Sequence, residues 1–263
     1  MEVIIENSAR SACMLAAKFV AKVIRDKPDA VVGFATGETT VLLYKELVRM
    51  HEEDGLDFSK IHSFNLDEFV GLDEGDPGSY RAYMDAHLFS KVNINPDNVN
   101  FPDVKAADIP TACSEYEEKI ASLGGIDIQV LGIGVEGHIG FNEPTSSLAS
   151  RTRIKTLTHR TIQEIGRSFP SSADVPSQVL TMGVGTIMES EKVVLIATGQ
   201  TKAEIIRRTI EGPITGLVPA SILQMHQVTK VFLDSEAAQS LTLKPYYRWA
   251  FQNKPDWQRF DND

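Results

Sequence analysis

The sequence predicts an α/β fold: an open, mostly parallel, Rossmann-like sheet with helices on both faces. Three observations carry that prediction. Short apolar runs alternate with longer helical patterns along nearly the whole 263-residue chain. The apolar runs are rich in Val, Ile, Leu and Phe and short enough to be strands buried on both faces. No internal repeat, low-complexity tract, long charge run or composition break marks a linker, so one domain over residues 1–263 is the simplest architecture.

In chain order, a helical pattern over 8–25 precedes the first strong strand, 30–34 (Ala-Val-Val-Gly-Phe). A helix over 39–53, a strand over 61–65 and a helix over 79–89 follow. Residues 112–122 read as a helix and 126–131, with two Ile, Val and Leu, as a buried strand. The second half predicts a helix over 178–188, a strand over 193–197, a helix over 200–211 and a last strand over 228–233. Strands alternating with helices imply parallel pairing through crossovers. Segments 92–108, 132–147 and 168–177 fit neither pattern. Two of the three follow or flank strand ends, where open α/β sheets bind ligands.

With 26 Lys plus Arg against 36 Asp plus Glu, the net charge is −10. That argues against nucleic acid as a partner, whose affinity needs clustered cations. No apolar stretch approaches the ~20 residues of a membrane span, and the first ten residues lack a basic start with an apolar run. No membrane and a cytoplasmic location are the expectations. Cys13 and Cys113 have no Cys-x-x-Cys pairing and read as buried reduced thiols.

Three stretches carry chemistry. After the strand ending at Phe34, Thr36, Gly37, Glu38 and Thr39 lead into a helix, and a strand, a short turn and a helix N-terminus make an anion site. The turn lacks the flanking glycines and Lys of a nucleotide P-loop, and its threonines also suit simple caps. Asp67 and Glu68 follow the next strand; being adjacent, at most one faces a site. Residues 131–144 hold four glycines within nine residues and set His138 between Glu136 and Glu143. A His held by a carboxylate is a general acid/base suited to neutral pH. Without a second His or Cys at ligand spacing, no metal site is expected. Downstream, Arg151, Arg153 and Lys155, then Arg167 and Lys202, are candidate phosphate clamps.

These residues resemble the glucosamine 6-phosphate deaminase (isomerase) family over nearly the full length. The resemblance rests on 64–72 (Phe-Asn-Leu-Asp-Glu-Phe-Val-Gly-Leu), 137–144 (Gly-His-Ile-Gly-Phe-Asn-Glu-Pro), 146–155 and 182–186 (Met-Gly-Val-Gly-Thr), in the family's order. It implies a cofactor-free enzyme, a hydrolase of a C–N bond that couples aldose–ketose isomerisation to loss of ammonia in amino-sugar catabolism. D-glucosamine 6-phosphate would become D-fructose 6-phosphate. Asp67 would be the base at carbon 2, and His138 would open the sugar ring, oriented by Glu136 and Glu143. Thr36, Gly37, Glu38 and Thr39 with Arg167 and Lys202 would take the substrate phosphate. The family usually has Asp or Asn where this chain has Glu136, and a small residue then Pro where it has Glu38 and Thr40.

Some hexameric members bind N-acetylglucosamine 6-phosphate at an allosteric site through Ser, Arg and Lys, matched here by Ser146, Arg153 and Lys155. A homo-oligomer is therefore open, while a sugar phosphate is the expected small-molecule partner. The nearest rival is a 6-phosphogluconolactonase, which follows its Gly-His pair with a Thr-Ala-Ser type of segment instead of Ile139-Gly140-Phe141. A non-catalytic sugar-phosphate sensor is the other, but no helix-turn-helix segment precedes the sheet pattern.

Overall fold

The computed structural model describes residues 1–73, 75–166, 169 and 175–260. The first half contains β1 (Glu2–Glu6), α1 (Ala9–Asp26), β2 (Val31–Phe34), α2 (Glu38–Asp54), β3 (His62–Asn65), β4 (Asp67–Phe69), α3 (Tyr80–His87), β5 (Val99–Asn100), α4 (Ile109–Ser122) and β6 (Ile128–Leu131). The second contains β7 (Arg153–Thr156), α5 (His159–Ile165), β8 (Gln178–Thr181), α6 (Val184–Met188), β9 (Lys192–Ala197), α7 (Ala203–Ile210), β10 (Thr229–Asp234) and α8 (Lys244–Gln252).

Among the described residues, seven strands form one sheet in the order β1-β10-β9-β6-β2-β3-β5, every neighbouring pair parallel. All four residues of β2 and of β6 are buried, as strands covered on both faces require. One core packs α1 and α2 against Val32, Phe34, Ile128 and Val130. The other packs α4, α6 and α7 against Val31, Phe64, Leu131 and Leu195. The α/β class with helices on both faces thus holds.

From β2 the chain builds outward through β3 and β5, then returns to lay β6 on the other side of β2. The turns leaving β2 and β6 therefore diverge from neighbouring strands. Such a reversal opens a crevice at the strands' C-terminal ends.

Beside the open parallel sheet stands a second, antiparallel one, β4-β8-β7. One expectation needs correction. The predicted helix over 178–188 is a strand, β8, followed by the short α6. Val179, Leu180 and Thr181 are fully buried between β4 and β7, and Gly183, which caps α6, lies against the Ser150 carbonyl. A run buried on both sides by tertiary partners overrode its helical reading. The sheets meet at residues 65–67: Leu66 donates to the Phe34 carbonyl and accepts from the Met182 N–H. Beneath this corner Phe69, Phe141, Leu157 and Val179 form a third apolar cluster with Tyr80 and Phe169 around it. No helix among the described residues is long and apolar enough to cross a membrane, and Cys13 and Cys113 are both buried and free.

Candidate active site

Three loops converge on the crevice. The first, after β2, places Gly37 at the start of α2 with φ 135°, and among the described residues no side chain caps the helix. The open N–H groups and the dipole of this 17-residue helix make its start electropositive. Thr40 donates to the Gly37 carbonyl (2.9 Å), as does Tyr83 (2.7 Å), which fixes the turn. Glu38 lies exposed at the turn.

The second approach is the corner itself. Asp67 opens β4, pairs with Thr181 on β8, and is buried at 4% exposure. Burial pushes its carboxyl well above the ordinary carboxylate range, and neighbouring Glu68 adds to the rise. Glu68 instead accepts from the backbone N–H groups of Phe69 (2.8 Å), Tyr80 (2.9 Å) and Arg81 (2.8 Å), pinning the start of α3. The adjacent acids thus divide as alternation requires, one buried at the crevice and one capping a helix.

The third is the glycine-rich loop after β6. Gly134 donates to the His138 carbonyl (3.0 Å) and accepts from Gly137 (2.9 Å), closing a turn that folds the imidazole back over Gly134. A Cβ at Gly134 would stand 2.1 Å from the His138 ring, so only glycine admits it. Gly140 turns at φ 53°, and a Cβ there would meet Thr181 at 2.9 Å and the Asp67 carboxylate at 3.5 Å. Phe141 donates its N–H to the Thr181 hydroxyl (3.0 Å), tying the loop that carries His138 to Asp67's own strand partner. Burial pushes the His138 imidazole down; Glu143, Glu164 and Glu136 pull it up, and Lys202 opposes them. The balance favours the neutral imidazole, whose buried Nδ1 has no hydrogen-bond partner among the described residues.

The expected hydrogen bond from Glu136 or Glu143 to His138 is absent among the described residues. Glu136 pairs with Arg160 (3.2 Å). Glu143 accepts from the Thr158 N–H and hydroxyl and from the Thr161 hydroxyl at the start of α5. Both carboxylates act on His138 through space rather than by direct contact.

Lys202, just past β9, donates to the Ile133 carbonyl (2.7 Å). Burial pushes its ammonium down, while Glu164 and Glu38 counter that. Its charge acts on His138, and that of Glu38 acts on it. Arg167 lies outside the described residues. Of the three remaining candidates, Ser146 is buried, its hydroxyl without a partner among the described residues. Arg153 and Lys155 alternate with exposed Ile154 along β7, an edge of the second sheet. Arg153 donates to Asn142 Oδ1 (2.9 Å), so it touches the His138 loop indirectly.

The described residues thus gather around one crevice: the α2 turn held by Tyr83, Asp67, the Gly140–Phe141 bend with Tyr80 stacked on it, His138 and Lys202. Tyr80, Thr158 and Thr161 escaped the sequence reading. Each sits at a helix start, where Ser79 and Thr158 are recognisable N-caps, but nothing local says what those helix ends face.

The family of glucosamine-6-phosphate isomerases and 6-phosphogluconolactonases matches residues 5–232. The chain belongs to this family. It is 50% identical over 258 residues to the glucosamine-6-phosphate deaminase of Arthrobacter sp. (strain FB24), covering 98% of this chain and 99% of the relative. Identity to the glucosamine-6-phosphate deaminase of Mycolicibacterium smegmatis is 47% over 259 residues, covering 98% and 99%. A solved monomeric glucosamine-6-phosphate deaminase superposes with a TM-score of 0.89 at 42% identity, over 91% of this chain and 100% of that one. The 6-phosphogluconolactonase of Thermotoga maritima reaches a TM-score of 0.69 at 18% identity over 89% and 99%, a likeness of fold alone.

Proposed function

We propose that this chain, acting as one domain over its length, converts D-glucosamine 6-phosphate and water to D-fructose 6-phosphate and ammonia. The observation that carries this is the pairing of a buried carboxylate, Asp67, with a neutral imidazole, His138, on two loops tied through Thr181. Family membership and the similarity to deaminases support it. The lactonase neighbours share only the fold.

Thr36, Gly37, Glu38 and Thr39 receive the phosphate at the open start of α2, with Lys202 supplying charge and Arg167 completing the set. Anchoring that end turns the later proton transfers into oriented, intramolecular steps. His138 moves a proton between the ring oxygens and opens the pyranose. Asp67 then takes the proton from carbon 2, leaving an enolamine, and delivers it to carbon 1. The imine at carbon 2 adds water, and the carbinolamine releases ammonia to leave the ketose. Glu143 and Glu136 raise the proton affinity of His138 from a distance. No metal or cofactor enters this reading, and the partner is a small sugar phosphate.

The test is to incubate purified protein with glucosamine 6-phosphate and a chelator and measure ammonia and fructose 6-phosphate. Hydrolysis of 6-phosphogluconolactone without ammonia from glucosamine 6-phosphate would overturn it. Ser146, Arg153 and Lys155 form, on the same reading, an activator site whose signal passes through Asn142. Adding N-acetylglucosamine 6-phosphate should then lower the KM, and no change in KM would remove that assignment.

A further inference from the structure

Glu143 is 4% exposed and stands on the same tight turn as His138. The Asn142 N–H and side-chain amide both donate to the Ile139 carbonyl (3.2 and 2.9 Å), and Ile139 and Asn142 form an antiparallel bridge. The residues next outward from that bridge, His138 and Glu143, come opposite each other. Phe141, within the turn, lies nearly parallel to the imidazole at 6.5 Å and 19°. The loop supplies the carboxylate but, among the described residues, none of the hydrogen bonds that hold it.

Those come from the start of α5. Thr158 donates its N–H to both carboxylate oxygens (3.2 Å each) and its hydroxyl to Oε1 (3.0 Å). Thr161, itself 3% exposed, donates its hydroxyl to the same oxygen. A threonine hydroxyl has one proton, and here both protons go to Glu143. As the N-cap of α5, Thr158 needs only to accept from the Thr161 N–H (3.2 Å). Its own donation, and the Thr161 hydroxyl altogether, exceed what capping demands. Packing does not call for that hydroxyl either, because valine would fill the same buried space.

The same helix reaches the second acid, Arg160 pairing with Glu136 (3.2 Å). Burial is the main influence on the imidazole and pushes its pKa down. The charges that act on it are Glu143 and Glu136 on its own loop, Glu164 on α5 and Lys202 after β9, and Glu143 has the largest effect of the four.

We propose that Thr158 and Thr161 are positioning residues for His138: their hydroxyls hold the Glu143 carboxylate in its place opposite the imidazole. This rests on the reading of His138 as the group that opens the sugar ring. It adds that the ring-opening proton is governed from α5, which supplies none of the reacting groups.

The experiment is an NMR titration of the His138 ring protons in the full chain, paired with steady-state kinetics. Thr161→Val should move the imidazole pKa down, because the carboxylate loses a donor that fixes it and its charge no longer stands opposite the ring. Thr161→Ser, which keeps the hydroxyl, should leave the pKa at the wild-type value. Thr158→Ala removes the other hydroxyl, keeps the N–H and should move the pKa in the same direction; it decides the matter if Thr161→Val does not match the wild-type circular dichroism spectrum. In a Glu143→Gln background Thr161→Val should produce no further shift, because both changes act through one carboxylate. With glucosamine 6-phosphate, Thr161→Val should cost about tenfold in kcat, the size of one hydrogen bond to a charged group, with KM unchanged. An imidazole pKa that stays or rises in Thr161→Val would overturn the proposal, as would an equal downward shift in the Glu143→Gln background. The expected titrations without ammonia release would sink the deaminase reading and leave this inference standing. Ammonia release with an unmoved imidazole would do the reverse.

Discussion

Asp67 is a carboxylate in a place that penalises its charge, since burial raises its pKa well above the usual range. A base must be ionised to act, so kcat/KM should climb with pH through that raised value. The acid limb is then expected well above the pKa of ~3.9 of a free aspartate. A pH–rate profile checks this, and a limb near 3.9 would contradict it. Asp67→Asn should lower kcat by about 10²–10⁴-fold while fructose 6-phosphate still binds. Stability carries the same signature. A raised folded-state pKa contributes stability that is complete below the unfolded value and is lost as pH rises through the folded one. Asp67→Asn should therefore raise Tm relative to the parent at pH 8, with the gain shrinking toward pH 4. For His138, Glu143 is the first charge that opposes the effect of burial. Glu143→Gln should move the imidazole pKa further down, read by NMR titration of its ring protons; an upward move would show that Glu143 does not face it.

At the scale of elements, the glycine-rich loop is built around the imidazole. A methyl group at position 134 would occupy the space of the His138 ring. Gly134→Ala should leave the fold intact by circular dichroism and lower kcat about 100-fold, the size expected when a reacting group shifts by about 1 Å. Retained kcat would mean the ring can stand elsewhere. The same loop shows what was legible in the sequence. Four glycines beside a His announced a tight loop at a ligand, because few other residues allow such approach. What the glycines could not announce was Thr181, 40 residues downstream, which fixes the bend through its hydroxyl. The strand that carries Thr181 read as the start of a helix, since burial between two partner strands is a tertiary fact. Likewise the adjacency of Asp67 and Glu68 said that only one could face the crevice. Which acid took which task depended on α3 arriving at Glu68, an event 12 residues away.

Across the whole molecule, the reversal of strand order between β2 and β6 explains why residues from 36 to 202 meet in one place. Five strands of the parallel sheet, β2, β3, β6, β9 and β10, were readable as short apolar runs, whereas β1 and the two-residue β5 were not. The second sheet was not, because its edge strand β7 alternates Arg153, Ile154, Lys155 and Thr156, a pattern that read as a group of surface cations. A ligand gripped by loops from both halves of the chain stabilises the whole fold against unfolding. Fructose 6-phosphate at about 100 times its Kd should add about 2.7 kcal/mol, or roughly 5–10 °C in Tm for a chain of this size. Differential scanning fluorimetry measures it, and an unmoved Tm at saturating ligand would contradict binding at this crevice.

The uncapped start of α2 also bears on the handling of the protein. As the proposed phosphate site, its backbone N–H groups would recognise charge and shape and would not distinguish a sugar-bound phosphate from a free oxyanion. Phosphate or sulfate in a buffer would therefore compete with substrate, and apparent KM should rise in proportion to the oxyanion added while kcat holds. Kinetics collected in phosphate and in an amine buffer would describe the same enzyme with two different affinities.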